Sequence, residues 1–198
     1  MRLSAIQKGL WGLVALALAG FVWLQVSVRN EQQTEAPAFR AAFELTDHRG
    51  MVQTEDDFAG RWMLVFFGFA NCPDVCPTTL AEVAAVMDAL GPDAAQVQPL
   101  FISIDPDRDT PDQLAEFIQV FDADIIGLTG TPDQIRRTSG TFRIYYEMIE
   151  EASSPDGYTM GHSSQLFLFD PQGGYVRAWS YGTLAEEILA DLKARVAK

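Results

Sequence analysis

The segment that most constrains the fold runs from Met63 to Phe69 (MLVFFGF), where no side chain is polar. An uninterrupted apolar run of this length is typical of a strand buried on both faces, as in parallel sheets covered by helices. The chain's only two cysteines, Cys72 and Cys76, follow this strand directly and precede a helical pattern that starts near Thr78. Because ligands gather at the carboxyl ends of strands in open α/β sheets, this loop is the first candidate site.

The remaining hydrophobic patterns predict a thioredoxin-like order of strands and helices. The predicted elements after the first strand are a helix over 78–90, a strand over 97–104, a helix over 111–121, a strand over 125–128, a helix from 132, extended chain over 142–149, a loop over 150–161, a hairpin over 165–179 and a helix over 184–196. The tetrapeptide TPDQ, at 110–113 and at 131–134, predicts an N-cap for two of the helices. We therefore predict an α/β, thioredoxin-like fold with N-terminal extra strands over 41–58 and an insertion before the final β-hairpin.

The N-terminus predicts one transmembrane helix ahead of this domain. Residues 9–24 carry no charged side chain and are long enough to span a bilayer. Arg2 and Lys8 precede the run, which favours a cytoplasmic N-terminus and an exported domain. A cleaved signal peptide is the alternative, because Ala17-Leu18-Ala19 resembles a cleavage site, but the apolar run continues to Leu24. We predict a membrane anchor over 1–29, a linker over 30–38 and a domain over 39–198.

The charge distribution limits the partners of the exported domain. All 27 acidic residues follow Asn30, whereas Arg2, Lys8 and Arg29 precede it. A strongly acidic domain is a poor candidate for binding nucleic acid or an anionic lipid surface. A mitochondrial transit peptide would be richer in Arg and Ser, so we predict a bacterial inner-membrane protein, single-pass, with its soluble domain in the periplasm.

The spacing of Cys72 and Cys76 allows either a metal site or a disulfide. A loop that enters a helix favours thiolate over thiol, and residues four apart share one helix face. The thioredoxin redox signature has only two residues between its cysteines, and here there are three. A structural disulfide is the simpler alternative in an oxidising periplasm, although the loop it would close is very short.

Two histidines are available to complete a metal site. His48 lies in a turn pattern (DHRG) and is interpreted as a solvated surface residue. His162 lies just before the strand over 165–169, at the position where thioredoxin-like folds usually bring a proline beside the cysteine loop. We therefore predict that His162 is a ligand together with Cys72 and Cys76.

Two thiolates and one imidazole suit copper first and zinc second, whereas calcium and magnesium prefer oxygen ligands. Asp105, Asp107 and Asp109 superficially imitate a calcium loop, but the glycine required at its sixth position is Thr110. We interpret this segment as a capped loop between a strand and a helix. Met160 is a further soft side chain near His162, and packing is its more common role.

Three elements of the sequence together resemble the Sco/SenC family. These are GFANCPDVCP over 68–77, DPDRDT over 105–110, and His162-Ser163. The resemblance covers about 39–196 and includes the anchor. Sco/SenC proteins are thioredoxin-like copper proteins associated with assembly of the CuA site of cytochrome c oxidase. The resemblance implies that Cys72, Cys76 and His162 bind one copper ion, Cu(I) or Cu(II). The family commonly has Asp before the histidine, where this chain has Gly161.

The resemblance also implies a function, with one alternative. The implied function is a copper metallochaperone that delivers copper to the CuA site, with cytochrome c oxidase subunit II or another exported cuproprotein as its partner. The alternative is a membrane-anchored thiol–disulfide oxidoreductase that reduces the client's cysteines, in which Cys72 and Cys76 would be redox-active. The Cys-x3-Cys spacing and the histidine in the proline's place favour the chaperone, and both roles need the same cysteines.

Overall fold

The structure is a computed structural model that describes residues 39–154 and 156–196, together with residues 11, 20 and 21. The chain divides into two compact units, Met1–Ala38 and Phe39–Lys198, and the strands and helices of the predicted domain belong to the second. Apart from residues 11, 20 and 21, the predicted anchor and linker lie outside the described residues. Within the part of the chain that the structure describes, no helix is both long and apolar enough to cross a membrane.

Nine strands and four helices make up the described part of the second unit. They are, in chain order, β1 (Glu44–Asp47), β2 (Val52–Thr54), β3 (Trp62–Gly68), α1 (Val75–Leu90), β4 (Val97–Ser103), α2 (Pro111–Ile118), β5 (Ile126–Thr129), α3 (Pro132–Phe142), β6 (Tyr146–Glu150), β7 (Tyr158–His162), β8 (Leu166–Phe169), β9 (Tyr175–Trp179) and α4 (Ala185–Val196). Short 3-10 helices cover Glu55–Phe58 and Gly91–Gln96.

Seven of the strands form one sheet in the order β2-β1-β5-β4-β3-β8-β9. Its centre is parallel: β3 pairs with β4, and β4 pairs with β5, whereas β1, β2, β8 and β9 run antiparallel to their neighbours. β4 is buried along its whole length, and β3 is buried from Met63 onward. The apolar run over 63–69 and the predicted strand over 97–104 therefore form the two buried central strands.

The register of the sheet brings three loops to one edge. Gly68 and Ser103, the last residues of β3 and β4, are opposite each other. β8 runs antiparallel to β3, with Leu166 opposite Phe66, so it begins near that same edge. The loop after β3, the loop after β4 and the residues before β8 consequently meet at the carboxyl end of the central strands.

The insertion before the final hairpin is a separate two-stranded sheet. β6 pairs with β7 from Tyr146 opposite His162 to Glu150 opposite Tyr158. The sequence predicts extended chain from 142 and a loop over 150–161, and both predictions are partly wrong. Phe142 still belongs to α3, which ends where Arg143 adopts a left-handed φ of 55°. The end of the predicted loop becomes β7 because it pairs with β6, a contact that a local pattern does not reveal.

The repeated TPDQ tetrapeptides cap α2 and α3 as predicted. The Thr110 side chain accepts a hydrogen bond from the backbone N–H of Gln113, and the Gln113 side chain accepts one from the backbone N–H of Thr110. Thr131 and Gln134 make the same reciprocal pair at α3. A capping box of this kind satisfies N–H groups that the helix leaves free, so α2 starts at a defined residue directly after the loop that follows β4.

Candidate metal centre

The two cysteines lie in the loop after β3 and in the first turn of α1. Cys72 donates its backbone N–H to the carbonyl of Phe69 at 3.2 Å, which folds the loop back on itself. Cys76 is the second residue of α1, and its backbone N–H donates to Sγ of Cys72 at 3.3 Å. The helix therefore begins at Val75, three residues before the predicted start. The Cys72 sulfur lies at its N-terminus, where backbone N–H groups and the helix dipole stabilise a thiolate.

Gly68 makes room for the second cysteine. A Cβ atom built on Gly68 would lie 2.6 Å from Sγ of Cys76 and 2.9 Å from the ring of Phe101. Neither neighbour has space to retreat, because both residues are fully buried. Glycine at the end of β3 therefore lets the Cys76 thiol pack directly against the strand.

Both cysteines are free thiols, and they differ sharply in acidity. A hydrogen bond from the Cys76 thiol is the main cause that lowers the pKa of Cys72 to about 4; burial opposes it, and hydrogen bonding with His162 supports it. The same hydrogen bond, followed by burial, raises the pKa of Cys76 well above that of an ordinary thiol. In the reduced protein the pair consequently holds one proton near neutral pH, with Cys72 as the thiolate and Cys76 as the thiol.

His162, the last residue of β7, reaches the cysteines from the separate hairpin. Its Nε2 lies 3.8 Å from Sγ of Cys76, and its Nδ1 lies 2.9 Å from the carbonyl oxygen of Ser163. An Nδ1–H that donates to this carbonyl leaves the lone pair of Nε2 directed toward the sulfurs. The rings of Phe66 and Phe69 meet the imidazole edge to face, with centroid distances of 6.1 and 6.0 Å. Hydrogen bonding and packing thus orient the ring.

The three predicted residues form one group that could hold a metal ion. Sγ of Cys72, Sγ of Cys76 and one ring nitrogen of His162 all lie within 4.8 Å of one another. Metal–sulfur bonds near 2.3 Å and metal–nitrogen bonds near 2.0 Å separate neighbouring ligands by about 3.5–4 Å. Only a small contraction would therefore close the group around one ion. Two sulfurs and one imidazole nitrogen fit copper or zinc and do not fit a hard, oxygen-seeking cation.

The second histidine has a different role. Nδ1 of His48 accepts a hydrogen bond from the backbone N–H of Gly127 at 3.2 Å, on the first residues of β5. The interpretation as a solvated surface residue is therefore only partly right, since His48 is half-buried and hydrogen-bonded to β5. It lies outside the metal-binding group, as expected.

The aspartates of the apparent calcium loop are used for internal bonding. Asp105 is the partner of Arg108 in an ion pair, and it also accepts a hydrogen bond from the Tyr158 hydroxyl at 3.0 Å. Asp109 accepts from the backbone N–H of Ala70 at 3.0 Å and from the hydroxyl of Ser103 at 2.6 Å. The rejection of a calcium site agrees with this arrangement. The sequence did not predict that the loop after β4 supports the cysteine loop. The only hint was the concentration of charged residues in the DPDRDT motif.

Gly161, where the family commonly has Asp, lies beside two side chains of β6. A Cβ atom at Gly161 would lie 3.0 Å from Cδ1 of Ile149 and 3.8 Å from a carboxylate oxygen of Glu147, both on the paired strand β6. A side chain at position 161 would therefore lie against Ile149, whose partly exposed side chain would have to shift. Met160, the other soft side chain considered, is buried and paired with Met148, which agrees with a packing role.

A thioredoxin-like sheet with two cysteine sulfurs and one imidazole at the carboxyl edge of its central strands defines a metal-binding protein of the thioredoxin-like class. The comparisons with known proteins identify the group within this class. A model of the SCO1/SenC family matches residues 31–197. The mitochondrial protein SCO2 homolog of Bos taurus is 37% identical over 196 residues, which cover 93% of this chain and 73% of that protein.

Solved structures agree with this assignment. Bradyrhizobium japonicum ScoI with copper bound is 37% identical, with a TM-score of 0.72 over 78% of this chain and 98% of that one. Arabidopsis thaliana ScoI with copper bound is 32% identical, with a TM-score of 0.76 over 81% of this chain and 99% of that one. The chain belongs to the SCO1/SenC family.

Proposed function

We propose that this protein is a copper chaperone that binds one copper ion through Cys72, Cys76 and His162 and delivers it to the CuA site of cytochrome c oxidase or to a similar exported cuproprotein. The observation that carries the proposal is the approach of three soft or borderline donors to within 4.8 Å at the edge of the sheet. Structures of similar Sco proteins with copper bound support the choice of copper over zinc.

The exposure of the donors suggests the direction of transfer. Cys72 is partly exposed and its neighbours Asn71, Pro73 and Asp74 are exposed, whereas Cys76 is fully buried. Client thiolates would therefore meet copper on the Cys72 side, replace Cys72 first and then exchange with the deeper donors. Copper is the cargo in this scheme, and no substrate is turned over.

The proposed location follows from the N-terminal segment and from the charge of the domain. An apolar run over 9–24 would anchor the protein in a bacterial inner membrane, with the acidic domain in the periplasm. Cytochrome c oxidase subunit II is the proposed partner, because the family is associated with oxidase assembly. Extraction of the full-length protein from membranes by alkaline carbonate would argue against the anchor, and protection of the domain from protease in spheroplasts would argue against a periplasmic location.

The unequal acidity of the two thiols favours a second candidate, a thiol–disulfide oxidoreductase. The Cys72 thiolate would attack a client disulfide and release one client thiolate, forming a mixed disulfide. Cys76, after losing its proton, would attack Sγ of Cys72 and release the second client sulfur. The client gains two electrons, and Cys72 and Cys76 end as a disulfide. The free, partly exposed Cys72 suits this role as well as it suits metal exchange.

Copper titration of the reduced full-length protein tests the main proposal. We expect one copper ion per chain in the wild type and loss of tight binding in a Cys72→Ser/Cys76→Ser double variant. His48→Asn is the matched control, because the new amide can still accept the hydrogen bond from Gly127 that His48 accepts. Stoichiometric binding by the double variant would contradict the assignment of the ligands.

A further inference from the structure

The strand that carries His162 does not belong to the seven-stranded sheet, so side-chain contacts must hold it against that sheet. β7 is hydrogen-bonded to β6 alone among the described strands. Its C-terminal end is held by the short connection to β8, which pairs with β3. The other end, at Tyr158, lies four residues from His162 and has no strand connection to the main sheet. Its carbonyl accepts a hydrogen bond from the Ser154 hydroxyl at 2.6 Å, but Ser154 belongs to the turn between β6 and β7 and so does not join the hairpin to the sheet.

Arg108, in the loop after β4, joins this end of β7 to the main sheet. Its Nη1 donates to the backbone carbonyl of Tyr158 at 3.1 Å, and its Cζ stands over the Tyr158 ring at 3.8 Å from the centroid. Nη1 also lies 3.4 Å from a carboxylate oxygen of Asp156, two residues earlier. One guanidinium thus donates to the backbone carbonyl of Tyr158, stacks on its ring and pairs with Asp156 just before the strand.

Arg108 is itself fixed to the loop by Asp105. Nε of Arg108 donates to the Asp105 carboxylate, whose other oxygen accepts from the Tyr158 hydroxyl at 3.0 Å. Asp105 is 2% exposed, and the Arg108 side chain is 10% exposed, so the three groups form a closed and largely desolvated triangle. The planar guanidinium stacks on the Tyr158 ring while Nε and Nη1 donate, and its Nη2 is buried without a hydrogen-bond partner among the described residues. The single ammonium of lysine cannot stack and bond in the same way.

The same loop also holds the cysteines. Asp109, the next residue, accepts the backbone N–H of Ala70 at the start of the cysteine loop. A second path runs through Phe69, whose ring lies 5.8 Å from Cζ of Arg108 and meets the His162 imidazole edge to face at 6.0 Å. The loop after β4 therefore contacts both the segment that leads to the cysteines and the strand that carries His162.

From these contacts we propose that Arg108 is a positioning residue that sets the distance between His162 and the cysteines, and so determines binding of Cu(II) more than of Cu(I). The inference rests on the proposed copper site. Two thiolates alone suit Cu(I), whereas Cu(II) gains more from an imidazole nitrogen. Loosening β7 withdraws the imidazole and leaves the sulfurs in place.

Arg108→Met, Arg108→Lys and Tyr158→Phe test this role in the full-length protein. Arg136→Met is the matched control, because Arg136 pairs with Asp133 at 2.7 Å on the exposed surface of α3, with 68% of each side chain exposed. Loss of residues that orient metal ligands typically weakens metal affinity by about ten-fold or more. We expect a loss of this size for Cu(II) in Arg108→Met, a smaller loss for Cu(I), and an altered nitrogen coupling in the Cu(II) EPR spectrum. Arg108→Lys should recover only part of the loss.

A measurement without metal makes the test independent of copper. Amide hydrogen exchange over 158–162 should be faster in the apo form of Arg108→Met, while exchange over β8 remains as in the wild type. If Arg108→Met does not fold, Tyr158→Phe, which keeps the ring and loses only the hydroxyl bond to Asp105, should show the same pattern to a smaller degree. Unchanged hairpin exchange and an unchanged Cu(II) to Cu(I) affinity ratio would overturn the inference. A wild-type protein that binds no copper would instead overturn the proposed function. The hydrogen-exchange data would still show whether Arg108 holds β7 in place.

Discussion

Sγ of Cys76 lies 3.8 Å from Nε2 of His162, although 86 positions separate the two residues in the chain. The sulfur belongs to the first turn of a helix that packs on the main sheet, and the nitrogen belongs to a hairpin outside that sheet. Their contact exists only in the folded protein, so the donor set depends on the hairpin staying docked. This relationship gives the first prediction.

His162→Ala should separate metal binding from thiol chemistry. We expect copper affinity, and Cu(II) affinity above all, to fall by at least about ten-fold, the lower end of what the loss of an orienting partner alone costs a metal site. The two sulfurs remain, so oxidation of Cys72 and Cys76 to a disulfide should persist. Copper titration and thiol quantification measure the two properties on one sample. Normal oxidase assembly by this variant in copper-limited cells would favour the oxidoreductase.

Alkylation of the reduced apo protein should distinguish the two cysteines. A thiolate reacts and a thiol does not, and the pKa of Cys72 is lowered to about 4 while that of Cys76 is raised. Iodoacetamide at pH 6 should therefore modify Cys72 and spare the buried Cys76. The rate should stay nearly constant down to about pH 5 and fall as the pH approaches the pKa of Cys72. Peptide mapping by mass spectrometry measures the labelling of each cysteine. Equal labelling of both residues, or a pH midpoint of the alkylation rate near the pKa of an ordinary thiol, would contradict the prediction.

Gly68→Ala should lower the stability of the protein and weaken copper binding by displacing Cys76. The new Cβ would lie 2.6 Å from Sγ of Cys76, so the thiol and the Phe101 ring must shift. Overpacking of this kind typically costs about 1–3 kcal/mol of stability, and displacement of Cys76 should also weaken copper binding. Gly140→Ala is the matched control: it lies on the exposed side of α3 with no atom within 4 Å of the new Cβ. That change should be neutral or should stabilise the helix by up to about 1 kcal/mol.

Asp109 should make the folded protein less stable as the pH rises through the range of a carboxyl group. Burial raises the pKa of Asp109 to about 6, against hydrogen bonds from Ser103 and Ala70 that lower it. Between the unfolded pKa near 3.8 and the folded pKa, the folded state binds more protons, so this residue's contribution falls as the pH rises from about 4 to about 6. Two pKa units correspond to at most about 3 kcal/mol.

Urea unfolding of the wild type and of Asp109→Asn at several pH values tests this assignment. The difference in unfolding free energy between the two proteins should move in favour of the variant as the pH increases over that range. Comparing the proteins at each pH removes the opposite contribution of Cys72, whose lowered pKa adds stability as the pH rises. A difference that does not change with pH would show that Asp109 titrates normally.

The sequence predicted the parts of the site that depend on local pattern and on strand order. The apolar run before Cys72 located the loop at the carboxyl edge of the sheet, and the strand after His162 placed the histidine beside it. The triangle of Asp105, Arg108 and Tyr158 escaped prediction, because it joins positions 50 residues apart through side-chain orientations that no periodicity encodes. The unequal acidity of the cysteines was likewise hidden, since it depends on burial and on hydrogen bonds made across the loop.

Because the β6–β7 hairpin is separate from the main sheet, its docking can be coupled to the reduction potential of bound copper. If docking of the hairpin supplies the imidazole, and if that nitrogen stabilises Cu(II) more than Cu(I), docking lowers the reduction potential of bound copper. Linkage makes the relation reciprocal, so reduction of the ion weakens the attachment of the hairpin by the same free energy. A client that displaces β7 from the site would favour Cu(I) over Cu(II). Reduction of the copper by an electron donor would likewise weaken the docking of β7 before a client binds. The position of β7 and the oxidation state of the bound copper ion are thus coupled in a single equilibrium.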